Sequence, residues 1–382
     1  MTAVEAQREA EAPLWRRVLR LVAVPAVAVI GALIVGGIII ILSSLASGEL
    51  ELLLPLQAYA NLFQGAFGSL RGILFSVVSA TPLILGGMAV GLGFKAGLFN
   101  IGAQGQFLMG ALGSAAVGAW VAGAPGLVAI PAAIIAGALL GAAWGFIPGA
   151  LKAWTGAHEV VTTIMLNFIA GALIGYLITG PLEAPGFSFS RTGPLGNSEL
   201  PTFFGTSIHL GVFIAFALVP VIWWLVWRST LGFEIRTVGA NPDAARYAGM
   251  HPALITILTM SLCGMLAGLA GAGQILGISH FMNASYGTSI GFDAISVALL
   301  GRAHPVGITL AALLFGAMRA GSGLMQIQAG IPVEIIDVIQ ATILLFLAAD
   351  IVIRRALRLR TPSAEPDELA TVTKTYGSGT PT

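Results

Sequence analysis

Polar side chains are scarce in this chain, so the few that fall inside apolar stretches define the chemistry open to it. Four segments carry them. The first is GLFNIGAQGQFLMG, residues 97–110, where Asn100, Gln104 and Gln106 stand at the start of an apolar helix among Gly97, Gly102, Gly105 and Gly110. Neutral amides there could hydrogen-bond a neutral solute beside a broken helix, because unwound backbone is tolerated at membrane depth only where it lines a cavity or is buried in protein. The same residues would equally suit a tight glycine interface with amides bonding across helices. The second is HEVVTTIMLNF, residues 158–168. Thr163 and Asn167 are four apart and share one helical face, which predicts a polar stripe toward a translocation path. Threonine hydroxyls can also simply return to a carbonyl of their own helix.

The third segment is GANPDAARYAGM, residues 239–250. Asn241 suits an N-cap and Pro242 the first helical position. Asp243 then lies in the first turn, where the helix dipole favours an acid. Ala244, Ala245 and Arg246 continue it, and Gly249 ends it before His251 and Pro252. A short capped helix of about two turns is expected. Such a helix suits docking into a partner's groove. The fourth segment is GFDAISVALLGRAHPVG, residues 291–307, with Asp293 and Ser296 in a short helix. An acid in a membrane segment is a functional hypothesis by default. In a first turn it also complements the dipole. Asp293 is expected at the outer end of that helix, and Arg319 is expected to pair with Glu334 or Asp337.

Other chemistry is missing. The only lysines are Lys95, Lys152 and Lys374, and none follows a glycine. A phosphate-binding Walker A loop needs Gly-Lys-Ser/Thr, so this polypeptide cannot hydrolyse nucleotide in that way. His158-Glu159 begins like a zinc-protease motif, but Thr162 occupies the second histidine position. The five His are scattered, and Cys263 is the one cysteine. No catalytic residue, metal site or cofactor is expected.

The elements that must position these residues follow from composition. Of 382 residues, 57% are hydrophobic and only 9% charged. Soluble domains carry about 25% charged residues, so the chain lacks the surface of a cytosolic enzyme. A formal net charge of +1 points to no nucleic acid. An all-α, polytopic membrane protein is predicted. Apolar runs lie near 18–42, 71–94, 100–122, 126–150, 160–180, 208–227, 254–278, 291–302, 306–322 and 333–353. They predict about ten membrane helices, some short or broken. The first run is longer than the apolar stretch of a signal peptide, so a retained helix is expected.

With the N-terminus inside, most Lys and Arg fall on the cytoplasmic side, leaving Arg71, Arg191 and Arg319 outside, as the positive-inside rule requires. Both termini are then cytoplasmic. The layout is an N-terminal segment over 1–17, a membrane domain over 18–353 and a basic, then disordered, tail over 354–382. Residues 43–70 and 181–207 fall outside, the second as a structured loop, and 229–253 form an inside coupling loop. Residues 71–180 and 254–353 each hold four spans in opposite senses, which predicts an inverted repeat of two four-helix halves.

Together the four segments resemble the permease subunits of bacterial ABC importers of the ribose, branched-chain amino acid and nucleoside superfamily. The nucleoside and simple-sugar branch, which works with a basic-membrane-protein-type binding lipoprotein, is most similar. GLFNIGAQGQ resembles that branch's GLFNIGAEGQ, with Gln104 in place of its Glu. HEVVTTIMLNFIA resembles HEVITTIMLNYIA, and Asp243-Ala244-Ala245 with Gly249 is similar to the permeases' EAA loop. The resemblance covers about residues 15–360. It implies a pore in the bacterial plasma (inner) membrane for a small neutral polar solute, a nucleoside first and a ribose-like sugar second. It also implies a second homologous permease as a heterodimer partner, a cytoplasmic ABC ATPase docking on 241–249, and an extracytoplasmic substrate-binding protein. An ion-coupled secondary transporter is the rival class, disfavoured by the scarcity of buried acids.

Overall fold

In lipid the backbone has no water to bond, so long apolar stretches satisfy their own amides and carbonyls as helices. The computed structural model describes residues 14–46, 51–203 and 205–348. Their helices, in chain order, are α1 (Leu14–Ala46), α2 (Leu54–Phe67), α3 (Leu70–Lys95), α4 (Ala103–Trp120), α5 (Gly126–Thr155), α6 (Glu159–Ile178) and α7 (Leu210–Arg228). Then come α8 (Thr230–Ala240), α9 (Pro242–Tyr247), α10 (Pro252–Gln274), α11 (Ile290–Leu300), α12 (Pro305–Ala329) and α13 (Ile335–Ala348). A π-helical turn, Ile275–Ser279, prolongs α10. Among the described residues, extended pairing is limited to two isolated bridges. The all-α expectation holds.

Each of the ten apolar runs carries a helix, but among the described residues 7 helices are long and apolar enough to cross a membrane. Helix α11 has 11 residues, and at 1.5 Å per residue it covers roughly half of a ~30 Å bilayer core. Two helices were not anticipated. Helix α2 lies in the stretch expected as an outer connection, and α8 fills the first half of the inner loop. The Ser229 hydroxyl caps α8 by accepting from the Gly232 amide at 3.0 Å. The expected features before residue 14 and after 348 lie outside the described residues.

The described residues form two compact units, one within 69–320 and one of the ends, those up to 68 with those from 321 on. In the unit of the ends, α1 packs along α13, so that a Cβ at Gly31 would lie 2.6 Å from Phe346 and one at Gly36 2.7 Å from Ile339. The Tyr59 hydroxyl of α2 donates to the Leu33 carbonyl of α1 at 2.6 Å.

In the central unit α5 and α10 meet backbone to backbone. A Cβ at Gly141 would lie 2.3 Å from the Gly264 carbonyl, and one at Gly268 2.4 Å from that of Gly137. Helix α4 joins them, with Gly110 against the Gly268 backbone. Small residues let membrane helices approach this closely and gain dispersion contact in place of a hydrophobic drive. Cys263 is buried beside this seam. The loop between α6 and α7 is ordered, as expected. Its Thr192 amide donates to the Met282 carbonyl at 2.9 Å, and the Arg191 guanidinium lies 4.1 Å from the ring centres of both Phe187 and Phe281.

Candidate functional site: the junction of two interrupted helices

Helix α3 ends where its sequence supplies a left-handed residue. Gly97 has φ +67°. The Leu98 amide reaches back to the Gly93 carbonyl at 2.9 Å and the Gly97 amide to that of Phe94 at 3.0 Å. This double closure is the Schellman motif. The chain then runs without regular helix to Gly102, and α4 starts at Ala103. The expected break is present.

Helix α4 opens on Gly102, which has no side chain to cap it. The cap comes from another helix. The Gly105 amide donates to the Asn167 side-chain oxygen of α6 at 2.8 Å. The Asn167 amide donates in turn to the Ile101 carbonyl at 3.1 Å. Asn167 thus does from α6 what an N-cap residue does from its own chain position. Asn100 and Gln106 are buried and exchange reciprocal amide bonds of 2.9 and 3.3 Å. Thr163 is buried and its hydroxyl donates to the Val160 carbonyl of its own helix at 3.1 Å, while its side chain packs on Gly102.

The same device recurs at α11. Its N-cap, Ser289, makes no capping bond of its own. The Gly291 amide donates to the Gln104 side-chain oxygen at 2.9 Å, and the Gln104 amide donates to the Thr288 carbonyl at 2.6 Å. The backbones all but touch, since a Cβ at Gly291 would lie 2.3 Å from the Gln104 Cα. Helix α11 runs beside the second half of α3: Gly86 faces Ala294, Gly87 faces Val297 and Gly91 faces Ala303. The N-termini of α4 and α11 therefore abut beside the middle of α3.

Asp293 sits at this junction, in the first turn of α11 as expected. It is 9% exposed. It accepts from the Ser289 hydroxyl at 2.9 Å and forms an ion pair with Arg319 of α12. That guanidinium also donates to the Ser289 oxygen at 3.0 Å. The reach to Asp293 replaces the pairing expected with Glu334 or Asp337. A buried carboxylate needs both a counter-charge and hydrogen bonds to offset its desolvation, and Arg319, Ser289 and the α11 dipole supply them. Ser296 is buried on the same short helix. The junction thus gathers Asn100, Gln104, Gln106, Asn167, Asp293 and Ser296 from three helices and the break, with Thr163 at its edge.

Sequence reasoning missed Ser289 and the junction role of Arg319. An arginine inside an apolar run was the available signal.

The expected capped helix is α9. The Asn241 side-chain oxygen accepts from the Asp243 and Ala244 amides, both at 3.0 Å. Pro242 occupies the first helical position. At the other end Gly249 has φ +83°, its amide donates to the Arg246 carbonyl at 3.0 Å and the Met250 amide to that of Ala245 at 3.0 Å. This is a second Schellman closure. Asp243 and Arg246 approach to 3.6 Å but are 80% and 72% exposed, so their attraction contributes little. Among residues 241–249 only Ala245 is buried. The helix leaves nearly its whole surface exposed, with Tyr247 95% exposed.

Comparison with known proteins identifies the family. Residues 72–348 match the family described as branched-chain amino acid transport system / permease component. The chain is similar to the guanosine ABC transporter permease protein NupP of Bacillus subtilis, 38% identical over 342 residues, covering 87% of this chain and 94% of the relative. It is 35% identical over 340 residues to the glucose ABC transporter permease protein TsgB13 of Haloferax volcanii, covering 85% of this chain and 86% of the relative. It is 36% identical over 369 residues to the nucleoside ABC transporter permease protein NupB of Lactococcus lactis, covering 94% of this chain and 98% of the relative. The chain belongs to the family of branched-chain amino acid transport system permease components.

Proposed function

We propose that this chain is the membrane-spanning permease subunit of an ATP-driven importer, and that its solute is a nucleoside. One observation carries the energetic half of this reading. An exposed helix, capped at both ends, projects from a chain whose sequence holds no Walker A loop. Such a helix suits a docking lever for a cytoplasmic ABC ATPase, with Asn241, Pro242, Asp243, Ala244, Ala245, Arg246 and Gly249 as its working residues. The solute half rests on the guanosine and nucleoside permeases among the relatives and on the neutral amides at the junction of α4 and α11. A simple sugar is the second reading, favoured by the glucose permease relative.

The solute's route passes the junction. Asn100, Gln104, Gln106, Thr163, Asn167, Asp293 and Ser296 belong to its wall. Amides that bond one another in one conformation can exchange those bonds for solute hydroxyls in another at little net cost, because one hydrogen bond replaces another. A second, homologous permease completes the pore, and an extracytoplasmic substrate-binding protein delivers the solute. Both termini face the cytoplasm of a bacterial inner membrane.

The test is reconstitution of this chain with its companion permease, ATPase and receptor in vesicles, with uptake of labelled guanosine followed against glucose and ribose. Accumulation should require ATP and be blocked by unlabelled nucleosides in preference to sugars. Accumulation driven by an ion gradient without the ATPase would refute the reading.

A further inference from the structure

Helix α8 packs on both the exposed lever α9 and the end of α3, and its Gly239 meets the α3 end backbone to backbone. A Cβ at Gly239 would lie 2.3 Å from the Lys95 carbonyl and 2.7 Å from the Ala96 carbonyl carbon. From the other side, a Cβ at Gly97 would lie 3.0 Å from the Gly239 carbonyl. The contact falls on the turn that closes α3 and opens the break, so its position is fixed by the Gly93–Leu98 and Phe94–Gly97 hydrogen bonds. Asn241 ties the other end, since its amide donates to the Thr237 carbonyl of α8 at 2.9 Å while its side chain caps α9.

We infer that Gly97 and Gly239 form a backbone clasp through which movement of α9 displaces the helix break at residues 96–102, making both glycines positioning residues for the solute route. The inference rests on the permease reading. Close-packed backbone has no rotamers to absorb a push, and interiors transmit strain. Coupling between sites travels through such contiguous packed contacts. From the clasp the path is short. Leu98 and Asn100 pack on Gly93, Asn100 holds Gln106, and Gln104 holds the start of α11. One displacement at Gly97 reaches both interrupted helices.

Hydrogen exchange on the full chain in lipid nanodiscs tests the clasp without any partner. Gly239→Ala inserts a methyl against the Lys95 carbonyl. Asn241→Ala leaves the clasp residues intact and removes a cap worth ~1 kcal/mol, about a fivefold change in opening. Both variants should speed exchange of the Ala96, Gly97 and Leu98 amides by about fivefold or more, with residues 171–178 of α6 unchanged. Gly171→Ala, where a Cβ meets nothing within 4 Å, is the neutral control. In the reconstituted complex Gly239→Ala should retain ATPase binding and lose uptake at least tenfold. If Gly239→Ala does not accumulate, Asn241→Ala carries the exchange test alone. Wild-type protection at residues 96–98 in the folded variants would overturn the clasp. Failure of the wild-type chain to bind an ATPase would instead sink the permease reading and leave the exchange result standing.

Discussion

Removing the Asn167 side chain separates a capping role from a purely surface one. In Asn167→Ala the Gly105 amide loses its 2.8 Å acceptor and the Ile101 carbonyl its 3.1 Å donor. Leaving a buried donor unsatisfied costs about 1–3 kcal/mol, and loss of an N-cap about 0.5–2 kcal/mol. These describe the same bond, so they do not add. Hydrogen bonds between membrane helices average only ~0.6 kcal/mol, because the inserted but unpacked chain finds other partners. The Ile101 bond is worth that smaller amount, and the destabilisation expected is about 2 kcal/mol. Thr163→Val is the internal comparison. Its hydroxyl serves only its own helix at Val160, so the loss should stay below about 0.5 kcal/mol. Reversible unfolding of both variants in one detergent, followed by helical circular dichroism, measures the difference. If Asn167→Ala is as stable as Thr163→Val, the reasoning that α6 caps α4 is refuted.

Gly249→Trp meets open space but forces a bulky residue to φ +83°, a strain of about 1–2 kcal/mol confined to the last turn of α9. Membrane insertion should be normal and transport-coupled ATP hydrolysis lost, as read by hydrolysis in proteoliposomes. Arg319→Met strands the buried Asp293 carboxylate and should destabilise by about 3–5 kcal/mol, and Asp293→Asn, which strands the half-buried Arg319, should cost less. The double variant should cost less than their sum, and strict additivity in denaturant unfolding would contradict the pair.

What was legible in the sequence is what short-range chemistry decides. The Gly97 break and both ends of α9 depend on residues within a few positions of one another: an asparagine cap, a first-turn proline, a left-handed glycine. Their signals survive any tertiary context. The partners of the polar residues were not legible for the opposite reason. Asn167 meets Gly105 across 62 positions and Gln104 meets Gly291 across 187, and only packing brings them together. The partner of Asp293 was misjudged for the same reason, since Arg319 stands 26 positions away and reaches it only through packing. Helix α2 went unseen because LPLQAYANLFQGAF mixes amide and tyrosine groups into an apolar stretch too short for a span. Helix α8 went unseen because TLGFEIRTVGA mixes Glu234 and Arg236 into a stretch too short and polar for a span.

The burial of Cys263 has a practical corollary. The sole thiol of the polypeptide is fully buried, with its sulfur beside Gly93 of α3, where water-borne maleimides have no approach. A spin label or fluorophore placed by substitution on α9 would report from that position alone, with no need to strip the native sulfur first. The importer cycle proposed for this chain could thus be watched in an otherwise unaltered molecule.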